Sequence, residues 1–331
     1  MTVLLIGAGL WWALPGRAIE QSEHLVLYSG RNKSLVEPLI ELFESDTGIK
    51  VKARYGKTAP LALAILQERG ESPADVFWAQ DAGALGALSK AGLLKHLSSN
   101  IGQNVAKPFQ SLTPHWVATS GRARVLAYVP ARVDAKKLPQ SIFDLSKPKW
   151  QGRVGWAPTN ASFMAFVTAM RSTHGDEKTR QWLTSMKENG AKRYAKNVPI
   201  IKALAAGEID LGLSNHYYLL RFKKADKRFP VEQQFFARGD IGNLLNVSGA
   251  GILKSSRRSR AAESFVRFLL SAQAQQYFTS EVFEYPVTDG VIVNPLLVHQ
   301  RVLAKQVPDV PLNNLSDLEG TRAMLKEVGL I

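Results

Sequence analysis

The chain has 331 residues, enough for two domains or one large α/β domain, and its 45% apolar and 21% charged residues argue against disorder. Its formal net charge of +14 would admit nucleic acid, an anionic surface or an anionic ligand. The basic residues are dispersed, however. The densest cluster is Lys254-Ser-Ser-Arg-Arg-Ser-Arg260, and no RNP, zinc-finger or helix-turn-helix signature goes with it, so no nucleic-acid partner is expected. Cysteine is absent, which excludes disulfides, thiolate metal sites and a lipid-anchored amino-terminal Cys.

Met1 to Leu14 is apolar but too short to span a bilayer, and small residues follow at Gly16 and Ala18. No basic residue precedes Arg17, so the usual positive start is missing. A secretory signal over residues 1–18 is the expectation. Leu25-Val-Leu-Tyr28 then reads as a buried strand ended by Ser29-Gly30. Ser34 and Glu37 match a capping box, with Leu35, Leu39, Leu42 and Phe43 at helical spacing and Gly48 as the stop. Ile49 to Tyr55 alternates apolar and basic residues like a half-buried strand, and Thr58 to Gly70 is helical. Ala74 to Trp78 reads as a buried strand, followed by a helix that Asp81 caps and Gly92 closes.

This strand–helix alternation predicts a parallel-rich α/β sheet. A long strand is expected over Arg122–Val129, and Val154-Gly-Trp156 starts a second alternating series. Helices follow over Phe163–Ser172, Asp176–Asn189 and Pro199–Ala206, where Pro199 suits a first helical turn. Asn246 to Leu253 precedes a helix from Arg260 to Leu270 and a shorter one reaching Thr279.

Strand-to-helix turns are where open α/β sheets bind ligands. Four carry unusual polar residues: Ser29–Lys33, Ala79–Asp81, Pro158–Ser162 and Ser214–Tyr218. Asn197 stands before a further helix. Free N–H groups and the positive dipole end at such sites cradle anions. The last turn presents two adjacent phenols, Tyr217 and Tyr218. Once ionised, phenolate oxygens suit a small, hard, highly charged cation. Taken alone, two aromatic rings packing at an interface is the commoner meaning of such a pair. His216 between Asn215 and Tyr217 reads as a hydrogen-bonded structural residue, and the other histidines show no His-x-x-x-His spacing.

With Leu27-Tyr-Ser-Gly-Arg31, Ser72-Pro-Ala-Asp-Val-Phe77, Ala79-Gln-Asp81, Gly155-Trp-Ala-Pro-Thr-Asn160, Asn215-His-Tyr-Tyr218 and Glu284-Tyr-Pro286 in view, the chain resembles the bacterial periplasmic ferric-iron-binding proteins, the solute receptors of iron ABC transporters. The resemblance covers nearly all of the chain beyond the signal. It implies a two-lobed type II periplasmic binding protein, each lobe a mixed sheet flanked by helices, with the ligand cleft between. The lobes would be discontinuous: residues 24–115 with 240–286, and 116–239 with 287–331. It implies a periplasmic, monomeric receptor that is not an enzyme and delivers Fe(III) to an ABC permease. Tyr217 and Tyr218 match the metal ligands. Asn160, Ala161, Ser162, Asn197 and Asn215 match the segments that hold a synergistic carbonate or phosphate, and Arg31 is a further candidate for that anion.

Three positions depart from relatives. Asn32 stands where some have a ligating His, Gln80 followed by Asp81 where some have Glu, and Phe163 where others have a third Tyr. Gln80 or Asp81 could complete the shell. The alternatives are a receptor for a phosphonate or another small organic solute, and a periplasmic hydrolase. The hydrolase lacks support, since no Gly-x-Ser-x-Gly elbow, Walker loop, zincin motif or Cys nucleophile occurs.

Overall fold

The computed structural model describes residues 24–331, so the expected signal over 1–18 lies outside the described residues. The first βα series runs β1 (Leu25–Ser29), α1 (Lys33–Thr47), β2 (Val51–Tyr55), α2 (Thr58–Glu68), β3 (Val76–Ala79) and α3 (Ala82–Lys90). In α1 the residues Val36, Leu39, Ile40 and Phe43 are buried, as helical spacing requires. Its cap differs from the expected Ser34–Glu37 box. The Asn32 carboxamide oxygen accepts from the Ser34 amide, while Glu37 accepts from the Tyr55 hydroxyl instead. Asn is as good an N-cap as Ser, and its position starts the helix two residues earlier. Gly48, at φ +71°, ends α1 in the left-handed region as expected.

The second series comprises β4 (Val117–Tyr128), β5 (Val154–Trp156), α4 (Ala161–His174), α5 (Asp176–Glu188), β6 (Lys192–Arg193), α6 (Asn197–Ala206), β7 (Leu211–Asn215), α7 (His216–Ala225) and β8 (Glu232–Gln234). Helix α6 begins at Asn197, two residues before the expected Pro199. The chain returns through β9 (Leu245–Ile252) and α8 (Ser259–Leu269). It ends with α9 (Ala272–Tyr277), α10 (Gln300–Gln306) and α11 (Leu318–Glu327).

Strand order is β2-β1-β3-β9-β4-β7-β5-β6, with β8 also paired to β4. Pairs β1–β2, β1–β3, β5–β6 and β5–β7 are parallel, whereas β9 and β4 run antiparallel to their neighbours. Strand β4 changes partner along its length. Val117 to Ala123 pair with β9, then Arg124 to Tyr128 pair with β7. One continuous strand therefore joins two α/β halves, and the carboxyl ends of β1, β3, β5 and β7 converge near this exchange point.

The core on the β1 side is aromatic. Phe265 of α8 meets Phe43 edge-on at 5.0 Å and Trp78 at 5.9 Å. On the β7 side Trp156, Phe163, Phe166 and Trp182 form a comparable set at 5.5–6.0 Å. Burying each such ring contributes about 1.5–3 kcal/mol. These two cores fix the strand ends from which the polar turns project.

Candidate functional site

All five residues of β7 are buried, so the strand delivers Asn215 and the start of α7 rigidly to the carboxyl end of the central strands. Tyr217 is 4% exposed and Tyr218 half-buried, with their rings 4.3 Å apart and inclined at 35°. The Asn215 amide donates to the Tyr217 hydroxyl at 3.3 Å. Asn197, buried at the first turn of α6, stands beside Tyr218. Burial, then the proximity of Tyr217, push the Tyr218 phenol well above its usual range, and Asn197 and Arg122 only partly oppose this. The Tyr218 phenol is thus neutral near pH 7 until something positive displaces its proton.

Three arginines surround the phenols, and sequence reasoning assigned none of them. Arg221 lies one turn on, its guanidinium 5.0 Å from the Tyr217 ring and 5.9 Å from that of Tyr218. Arg124 is buried against Phe166 at 4.9 Å and Phe163 at 5.6 Å. Neither of its terminal nitrogens has a hydrogen-bond partner among the described residues. Burial lowers its pKa to about 10, with Tyr217 opposing the shift. Arg122 donates to the carbonyls of Gln80 and Val247. The available signal was Arg122 and Arg124 alternating in a strand of otherwise small and apolar residues. Charges inside a buried strand need a reason.

Arg31 is not free for an anion. Its guanidinium grips Glu284 bidentately at 3.0 and 2.9 Å, and the same Nη1 donates to Gln80 Oε1 at 3.1 Å. Ser120 donates to Glu284 as well, at 2.5 Å. Burial raises the Glu284 carboxyl, but Arg31, Arg122 and these hydrogen bonds outweigh it and hold the carboxyl below its ordinary range. A fork so occupied orients Gln80. Among the described residues, the Arg31 Nε alone of that guanidinium lacks a partner.

The remaining candidates fall into two groups. Asn160 caps α4, accepting from the Ser162 amide at 3.0 Å and its hydroxyl at 2.6 Å, so Asn160, Ala161 and Ser162 form one helix start. Asp81 caps α3 through Ala84 at 3.2 Å, and burial raises its pKa against that bond and Arg122. Asn32 is an exposed cap, and Phe163 belongs to the core against Trp156. His216 has the structural role expected of it. The Ala123 amide donates to Nδ1 at 3.2 Å, which leaves Nε2–H to donate to the Phe283 carbonyl at 2.8 Å. Burial lowers its pKa to about 4, so the ring is neutral. Among the described residues no group of three or more His, Asp or Glu could hold a metal ion. The phenols are the donors this region offers to a hard cation.

Residues 25–284 match the family described as bacterial extracellular solute-binding protein. The chain is 34% identical to the major ferric iron-binding protein of Neisseria meningitidis serogroup A, covering 98% of this chain and 97% of that one. Among solved structures, iron-bound HitA from Pseudomonas aeruginosa is 36% identical with a TM-score of 0.86, covering 93% and 99% of the two chains. The IdiA (FutA) protein of Trichodesmium, in complex with iron and citrate, is 28% identical with a TM-score of 0.82 and coverage of 93% and 100%.

Proposed function

The chain belongs to the bacterial extracellular solute-binding proteins, among their periplasmic ferric-iron-binding members. From this premise we propose that it captures Fe(III) through Tyr217 and Tyr218 and delivers it to an ABC permease. The adjacent phenol pair at the start of α7, with Tyr217 buried and Tyr218 half-buried, is the observation that carries the reading. Fe(III) with two phenolates retains one positive charge, and Arg122, Arg124 and Arg221 add three more around it. A synergistic anion is therefore part of the bound state. Carbonate or phosphate is the proposed anion, held by the α4 start at Asn160, Ala161 and Ser162 together with Asn197 and Asn215. Arg124, with two unpartnered nitrogens, supports the same reading. Gln80, turned by Arg31, is the further candidate ligand, whereas Asp81 is occupied as a helix cap.

The proposed lobes are residues 24–115 with 240–286 and residues 116–239 with 287–331. The exchange of partners between Ala123 and Arg124 in β4 supports a crossover there, since Val117 to Ala123 pair with β9 of the first proposed lobe and only Arg124 to Tyr128 with β7 of the second. The receptor is proposed to act as a monomer after export through an amino-terminal signal, with no enzymatic step. Ferric ion added with bicarbonate or phosphate should give one visible phenolate-to-iron band per chain, weakened when the anion is withheld. A colourless protein that instead takes up a phosphonate would refute the proposal.

A further inference from the structure

Lobe 2 carries a second cationic site at its opposite pole. The phenols lie beyond the carboxyl end of β7, but Asp210 precedes its first residue, Leu211. Five strand residues separate the two ends, about 17 Å at the usual rise. Asp210 holds two arginines at once, Arg132 Nε at 2.6 Å and Arg153 Nε at 2.6 Å. Arg132 is further fixed on the carbonyls of Leu204 and Ile209, and Arg153 on that of Lys149 and over the Trp150 ring at 5.1 Å. The two guanidinium groups thus form a rigid floor.

Lys136, Lys137 and Lys149 join this floor around a depression of about 560 Å³. All three are exposed, and none takes part in an ion pair among the described residues. The only acid in the lining, Asp134, is used as a cap for the Lys136 amide. Counting Asp134 and Asp210 against five cations leaves three uncompensated positive charges in one concavity.

We propose that this depression binds a phosphate-rich oxyanion, carried either by a free oligophosphate or by the head groups of an anionic lipid surface. Lys136 and Lys137 supply mobile point charges, Lys149 an ammonium held 4.8 Å over the Trp150 ring, and the fixed arginines planar donors, a combination suited to several phosphate groups at once. The site is independent of the iron reading, because it shares no residue with the phenol cleft.

Calorimetric titration of the full chain with sodium tripolyphosphate, and flotation with phosphatidylglycerol vesicles, test the two sources. Lys136→Gln/Lys137→Gln/Lys149→Gln removes three exposed charges without touching the core. It should weaken whichever interaction the wild type shows by roughly 10- to 30-fold at low salt. Iron uptake should be unchanged in that variant. Tyr217→Phe/Tyr218→Phe should keep the phosphate interaction. One-to-one binding of tripolyphosphate identifies the free source, and vesicle capture alone identifies the lipid. Wild type binding neither probe would overturn the proposal. So would a triple variant that binds as well as wild type, or binding lost in the tyrosine variant instead.

Discussion

Replacing Glu284 by Gln tests the scaffold behind the cleft. The side chain keeps its volume, but Arg31 becomes a fully buried cation with no carboxylate. In the wild type that guanidinium donates three hydrogen bonds, two to Glu284 and one to Gln80, and Ser120 adds a fourth bond to the carboxylate. Breaking a buried ion pair from one side costs about 3–5 kcal/mol; the residual acceptor on Gln places this case near ~3 kcal/mol. Urea unfolding at pH 7 measures it, and removing both charges in Arg31→Met/Glu284→Leu should recover most of the loss. The pH dependence has a definite sign. Glu284 has a lowered folded pKa, so its contribution is complete above the unfolded value of ~4.3 and is lost as pH falls through the folded one. The gap between wild type and Glu284→Gln should therefore close in acid. A gap under about 1 kcal/mol at pH 7, or one that persists unchanged in strong acid, would refute the reasoning.

Three further outcomes follow from other contacts. Arg124→Met removes a buried cation without hydrogen-bond partners, so iron-free protein should gain about 1 kcal/mol in urea unfolding while iron affinity falls; stability lost instead would contradict this. His216→Phe orphans the Ala123 amide and the Phe283 carbonyl, at about 2–4 kcal/mol by the same assay. The wild-type advantage from His216 should decline as pH falls from ~6.5 and vanish below about 4, because its folded pKa is depressed. Iron loading should release protons from the phenols and bind more tightly as pH rises from 6 to 8. A pH-stat trace showing no proton release would contradict phenolate ligation.

The sequence made the βα rhythm legible because apolar periodicity and glycine stops are local properties. Val154–Trp156 and Gly48 fall where that logic puts them. The Asn32 cap escaped it because Asn and Ser two residues apart are equally good caps, and only tertiary placement of Glu37 against Tyr55 decides. The carboxyl-terminal helices α10 and α11 lie outside the sequence expectations: α10 is a short helix burying Leu303, whereas α11 buries Thr321, Met324 and Leu325 at helical spacing and was open to the same logic. In the site, Tyr217 and Tyr218 are neighbours in sequence and could be seen together. Arg31 and Glu284 are 253 positions apart, so their pairing was invisible and Arg31 read as available to an anion. The same distance effect hid Arg124, whose neighbours Phe163, Phe166 and Tyr217 come from two other elements.

Titration with Fe(III) and bicarbonate, comparing wild type with Tyr217→Phe/Tyr218→Phe, bears most directly on the central claim. Wild type should take one ferric ion per chain and develop a visible charge-transfer band, and the variant should show neither the band nor comparable affinity. A variant that binds iron as tightly as wild type would contradict the assignment of the phenol pair as the iron site.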